Sequence, residues 1–116
     1  MTNTHETILY INLNTLEANF NFLKSKLPNG AKTIAVVKAF AYGLGDIEIS
    51  KHLEKLGIHA FWVADFEEGV QLRKQGITKP IIVANSGITL GMVTSAKRQR
   101  WYKRSNLSIS CWEVSL

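Results

Sequence analysis

One lysine, Lys38, directly follows the apolar run Ala35-Val36-Val37. A tyrosine, Tyr42, comes four residues later, and Gly43 and Gly45 close the stretch. A primary amine is a nucleophile or base only when deprotonated, and burial favours that neutral form. An amine at the C-terminal end of a buried parallel strand stands on the rim where α/β folds build their sites. Amines of this kind form Schiff bases with carbonyl cofactors such as pyridoxal phosphate. The phenol of Tyr42 would share that rim as a donor to a phosphate or a ring substituent, and the two glycines would let the backbone approach closely. On residue types alone, a solvated charge at a strand end is the commoner use of such a lysine.

The elements that must carry this stretch alternate. Thr7–Asn12 is β-branched, aromatic and apolar and reads as a strand. Asn14, with Glu17 three residues on, reads as the N-cap of a helix over 14–26 whose apolar face is Leu16, Phe20, Leu23 and Leu27. Pro28-Asn29-Gly30 ends it. Thr33–Val37 is continuously apolar, as expected of a strand covered on both faces. Asp46 is placed to cap a second helix, with Ile47, Ile49, Leu53 and Leu56 on one side and Gly57 as its stop. Ala60–Ala64 is a third strand. Asp65 and Glu68 form a second capping-box pair before a helix over 66–75, and Pro80–Ala84 is a fourth strand. Strand–helix alternation with short connections predicts parallel strands and right-handed crossovers. A (β/α)8 barrel takes about 250 residues, so these 116 supply part of one.

The charge is unevenly spread. Of the formal +5, residues 1–85 carry nine basic and eight acidic side chains, and residues 86–116 carry five and one. No basic face recurs through the folded part, so nucleic-acid binding is not expected. No apolar run approaches the roughly 18–20 residues of a membrane span, and Met1–Glu6 lacks the layout of a signal peptide. Cys111 is the single cysteine, which suits a reducing, cytoplasmic setting. The strand–helix pattern stops after Asn85. The expectation is a domain over 7–85 and a basic, irregular tail over 86–116, in which Lys97–Arg104 shows no apolar face. A shifted reading frame would produce such a tail. A basic-aromatic segment for an acidic surface is the alternative.

The string Ala-Val-Val-Lys-Ala-Phe-Ala-Tyr-Gly-Leu-Gly over 35–45 resembles the cofactor-lysine motif of the alanine racemases. The resemblance extends to Ile11–Asn19, to Phe61–Arg73 in the form A-x-x-x-E-G-x-x-L-R, and to Gly76–Ile81 in the form G-I-x-x-P-I. It runs from about residue 7 to 85 and matches the N-terminal part of that family. It implies an α/β fold, a partial (β/α)8 barrel of about four β/α units. It implies pyridoxal 5′-phosphate as cofactor, held as a Schiff base on Lys38 with its phosphate contacted by Tyr42. Lys38 would also be one of two bases exchanging the α-proton of alanine, a reaction that supplies D-alanine for peptidoglycan.

Two positions depart from the usual motif: Phe40 stands where asparagine is common, and Leu44 where histidine is common. The family is homodimeric, and its second base is a tyrosine from a C-terminal β-domain of the partner subunit. Nothing around Tyr102 matches that residue, and Arg98, Arg100 and Arg104 have no motif support as cofactor ligands. The chain is therefore expected to be truncated and inactive alone, with an open sheet edge at residue 83 that invites self-association. The alternatives are a non-catalytic half-barrel remnant and a small cofactor-binding or interaction module. His5, His52 and His59 lack metal-ligand spacing, so no metal is expected. Asp65, Glu67 and Glu68 sit where helix capping explains them.

Overall fold

The computed structural model describes residues 7–84, 98–104 and 107–113, the last two segments as backbone strands. In order, the elements are α1 (Leu13–Ser25), β1 (Ile34–Val36), a one-turn helical segment α2 (Lys38–Tyr42), α3 (Asp46–Lys55), β2 (Ala60–Val63), α4 (Phe66–Lys74), β3 (Ile81–Val83), β4 (Arg98–Arg104) and β5 (Leu107–Glu113). They form one sheet in the order β1-β2-β3-β5-β4. The pairs β1–β2 and β2–β3 are parallel, as the alternation of strands and helices predicts.

Register sorts the parallel strands into two faces, because residues paired across strands share a face. Phe61 pairs with Ile81 and Val63 with Val83, and all four are buried under the helices. They make the core with Ile49 and Leu53 of α3, Leu72 of α4, and Ile58 and Ile77 of the connections. Val36, Trp62 and Ile82 form a row on the opposite face, where Trp62 and Ile82 are only half-buried and Val36 is 45% exposed. The expectation that both faces of 33–37 are covered therefore fails. The described helices cover one face only, so a continuous apolar run here marks a face left open.

The helix ends follow local chemistry, with two differences from the sequence expectation. Asn12 caps α1: its backbone is extended, and its Oδ1 accepts from the N–H groups of Asn14 and Thr15 at 3.0 and 3.2 Å. Glu17, read as the partner of an Asn14 cap, instead lies 3.4 Å from Nε2 of His52 on α3. Asp46 is the first residue of α3 and is buried, while Gly45 is its N-cap, with no capping side chain. Asp65 does cap α4, accepting from the Glu68 N–H at 3.0 Å.

Three segments depart further. Thr7–Asn12 is not a strand, and its apolar side chains Ile8, Leu9 and Tyr10 are exposed. β-propensity is a preference for a half-buried pleated surface, and no strand of the sheet pairs with this segment. The edge expected at residue 83 is closed, since β5 pairs antiparallel with β3 at Ile82–Glu113. Of the tail expected to be irregular over 86–116, 98–104 and 107–113 pair as antiparallel strands, and the rest lies outside the described residues. Their sequence carries a period-two signal: Leu107, Ile109 and Cys111 alternate with Ser108 and Ser110.

Candidate functional site around Lys38

Lys38 stands two residues beyond β1, at the C-terminal end of the parallel strands. Val37 between them is buried, and its N–H donates to Trp62 O at 2.9 Å, so the sheet sets where the Lys38 backbone begins. The side chain of Lys38 is exposed, as is that of Tyr42. Exposure of Lys38 agrees with the commoner use of a lysine at a strand end, a solvated charge, and the burial that would favour its neutral form is not supplied by the described residues.

The backbone then does something no sequence rule announced. Ala39, Phe40, Ala41 and Tyr42 all have φ between 51° and 56°, and Gly43 follows at 82°. Four consecutive L-residues form a left-handed helical turn, where each costs on the order of 1–2 kcal/mol relative to right-handed geometry. Hydrogen bonds offset that cost. Ala41 N–H donates to Val37 O at 3.0 Å, Gly43 N–H to Ala39 O at 3.0 Å, and Gly45 N–H to Phe40 O at 2.8 Å. Ala41 is buried and anchors the turn, while Phe40 projects from it 73% exposed. A Cβ at Gly43 or Gly45 would meet nothing within 4 Å, so these glycines serve their positive φ angles.

The result of the turn is that Lys38 Nζ lies 6.0 Å from the centroid of the Tyr42 ring. An amine and a phenol thus share one accessible rim. The structure brings together the two residues singled out from sequence, Lys38 and Tyr42.

A third residue belongs to this site and was read from sequence only as a capping partner. Glu68, in the first turn of α4, accepts from the Ala39 N–H at 2.7 Å through Oε1 and from the Ala64 N–H at 2.8 Å through Oε2. The capping-box spacing to Asp65 hid this, because that spacing accounts for a glutamate without any distant partner. Among the described residues no group of three or more His, Cys, Asp or Glu side chains is arranged to hold a metal. No helix among them is long and apolar enough to cross a membrane.

Parallel strands with crossover helices and a lysine at their C-terminal rim define part of a (β/α)8 barrel with a rim site. The chain belongs to the alanine racemase family: the model of the alanine racemase N-terminal domain matches residues 11–104. It is 48% identical over 77 residues to an alanine racemase of Citrifermentans bemidjiense, covering 66% of this chain and 20% of that protein. It is 36% identical over 109 residues to alanine racemase 2 of Bacillus subtilis, covering 94% of this chain and 26% of that protein. The solved alanine racemase of Clostridium difficile matches with a TM-score of 0.62 at 44% identity, over 68% of this chain and 21% of that one. The chain spans about a fifth to a quarter of the length of these relatives.

Proposed function

We propose that this chain carries the cofactor-lysine portion of an alanine-racemase-type isomerase, acting on L- and D-alanine with pyridoxal 5′-phosphate. The observation that carries the reading is the convergence of Lys38 and Tyr42 on one rim, beyond the C-terminal ends of the parallel strands. The residues fit the cofactor chemically. It presents an aldehyde and a phosphate monoester, and the rim offers an accessible primary amine and an accessible phenol.

When bound, pyridoxal phosphate supplies an electron sink that makes the α-proton of an amino acid acidic. The chain's own part is to hold and to move a proton. Lys38 Nζ is the proposed point of attachment and, in its neutral form, the base on one side of the substrate α-carbon. Tyr42 Oη is the proposed donor to the phosphate. Exchange of configuration needs a second base on the opposite side, since one base returns the proton to the face it left. Lys38 supplies one base. By the family resemblance the other would come from a C-terminal domain, beyond the part of the relatives that this chain matches. We therefore propose that the 116-residue chain by itself holds the cofactor without interconverting alanine at a useful rate. A cytoplasmic setting belongs to the same proposal, as does association into a homodimer, which rests on the family resemblance and not on an open sheet edge.

The experiment is to add pyridoxal phosphate to the purified chain, reduce with borohydride, and map the adduct by peptide mass. A stable adduct at Lys38, lost in Lys38→Ala, is the expected result. Labelling spread evenly over the surface lysines would reject the reading.

A further inference from the structure

We propose that Glu68 is the positioning residue of the Lys38 site, an assignment that builds on the cofactor reading above. Its two carboxylate oxygens join segments that are distant in sequence. Oε2 takes the N–H of Ala64, the residue directly after β2, and Oε1 takes the N–H of Ala39, the residue directly after Lys38. The glutamate is itself fixed, because its own N–H donates to the capping carboxylate of Asp65. The Ala39 amide therefore hangs from the rigid end of the sheet through one side chain.

That amide has particular need of an acceptor. The first N–H groups of any helical turn have no partner within it, and in this turn the i→i−4 bonds begin at Ala41. Glu68 supplies what the turn cannot. Its negative charge makes both bonds charge-assisted, which strengthens them relative to neutral ones. The peptide unit it grips is the one joining Lys38 to Ala39. Rotating that unit would swing the start of the lysine side chain and release the left-handed run that delivers Tyr42. A glutamate three residues after an N-cap ordinarily returns to the N-cap residue's own amide. Here it reaches past that residue to Ala64 and across to the site.

The test uses the full 116-residue chain and its Glu68→Gln and Glu68→Asp variants, with two readouts. The first is the pyridoxal phosphate concentration giving half-maximal borohydride-trapped adduct at Lys38. The second, which needs no cofactor, is the hydrogen-exchange rate of individual backbone amides. Glutamine presents an N–H2 group where one oxygen was, so it cannot accept from both amides. Aspartate keeps the charge but is too short to span both. In Glu68→Asp the Ala39 amide, and in Glu68→Gln whichever of the Ala39 and Ala64 amides faces the N–H2 group, is expected to exchange ~10–100-fold faster, with the half-saturating concentration rising by a similar factor wherever Ala39 is released. The Phe61 and Ala84 amides, bonded within the sheet region to Pro80 O and Val63 O, are expected to stay protected. If Glu68→Gln loses the protection of Phe61 as well, Glu68→Asp decides, since it keeps the charge beside Ala64. Unchanged Ala39 exchange in folded Glu68→Asp overturns the assignment. Faster Ala39 exchange with unchanged trapping also overturns it, by reducing Glu68 to a structural tie. If the parent chain forms no adduct at Lys38, the cofactor reading fails, and the assignment of Glu68 to that site falls with it even where Ala39 exchanges faster.

Discussion

Lys38 Nζ lies 6.0 Å from the centroid of the Tyr42 ring because the four residues from Ala39 to Tyr42 turn left-handed. The separation is at the outer limit of a cation–π contact, so the ring can help to orient the amine while leaving it free to react. The phenol and the ring of Tyr42 are separable by mutation. Tyr42→Phe keeps the ring and removes the donor, and should raise the half-saturating pyridoxal phosphate concentration by roughly tenfold, the equivalent of one hydrogen bond. An absorbance titration checks this, and an unaltered titration would remove the Tyr42 phenol from the site, leaving only its ring.

The left-handed turn predicts an unusual order of stabilities at position 40. Phe40 is largely exposed and has φ of 55°, so its side chain contributes little packing to set against backbone strain. Asparagine tolerates this region better than other side chains do, and β-branched residues tolerate it worst. Phe40→Asn should raise stability by about 0.5–1 kcal/mol, and Phe40→Ile should lower it by about 1 kcal/mol. Urea midpoints of the three proteins measure the difference.

Acid sensitivity should concentrate at Glu54 near the end of α3. Partial burial raises its proton affinity, but hydrogen bonds from the Thr78 hydroxyl and from the Thr78 and Lys79 amides, with the Lys79 charge, outweigh that effect. The net result holds the carboxyl below its ordinary value of 4.5. A lowered folded value means the stabilisation is fully present above about pH 4.5 and is lost as pH falls through the folded value. Glu54→Gln should flatten the acid limb of a stability–pH curve and cost about 1 kcal/mol at neutral pH. An acid limb unchanged by the substitution would assign the sensitivity elsewhere.

Leu72 reports on the helix-covered core. It is fully buried on α4 in the cluster that contains Phe61 and Ile81. Leu72→Ala should destabilise by about 2–5 kcal/mol, the range for a buried leucine whose cavity cannot collapse. On a domain of this size that loss is a large part of the total. Thermal melting followed by circular dichroism measures it.

Much of this arrangement was legible in the residues. Helical spacing located α1, α3 and α4, and the apolar runs located β1 to β3, because those patterns act locally. Lys38 and Tyr42 stood out for another reason, the resemblance of residues 35–45 to a family motif, since residue types alone pointed as readily to a solvated charge. The left-handed turn was not legible, since Ala-Phe-Ala-Tyr carries no local preference for positive φ. It is imposed from outside, by the buried Ala41 and by Glu68 at Ala39. Thr7–Asn12 failed in the opposite sense, because strand chemistry without a partner strand makes no strand. The exposed face of β1 was also invisible, as an apolar sequence cannot say whether its cover lies within the same stretch of chain.

The sheet changes direction between β3 and β5, and the two sides of that change differ in how they assemble. β4 and β5 pair in register from Arg98–Glu113 to Arg104–Leu107, so their contacts are local and a hairpin of this kind can close in microseconds. The β1–β2–β3 pairings each wait on a crossover through a helix, which makes them slower to form. Among the described residues the two sides meet at the registered pair Ile82–Glu113. The sheet thus joins a side built from local contacts to a side built from crossovers, and folding of the two need not be simultaneous.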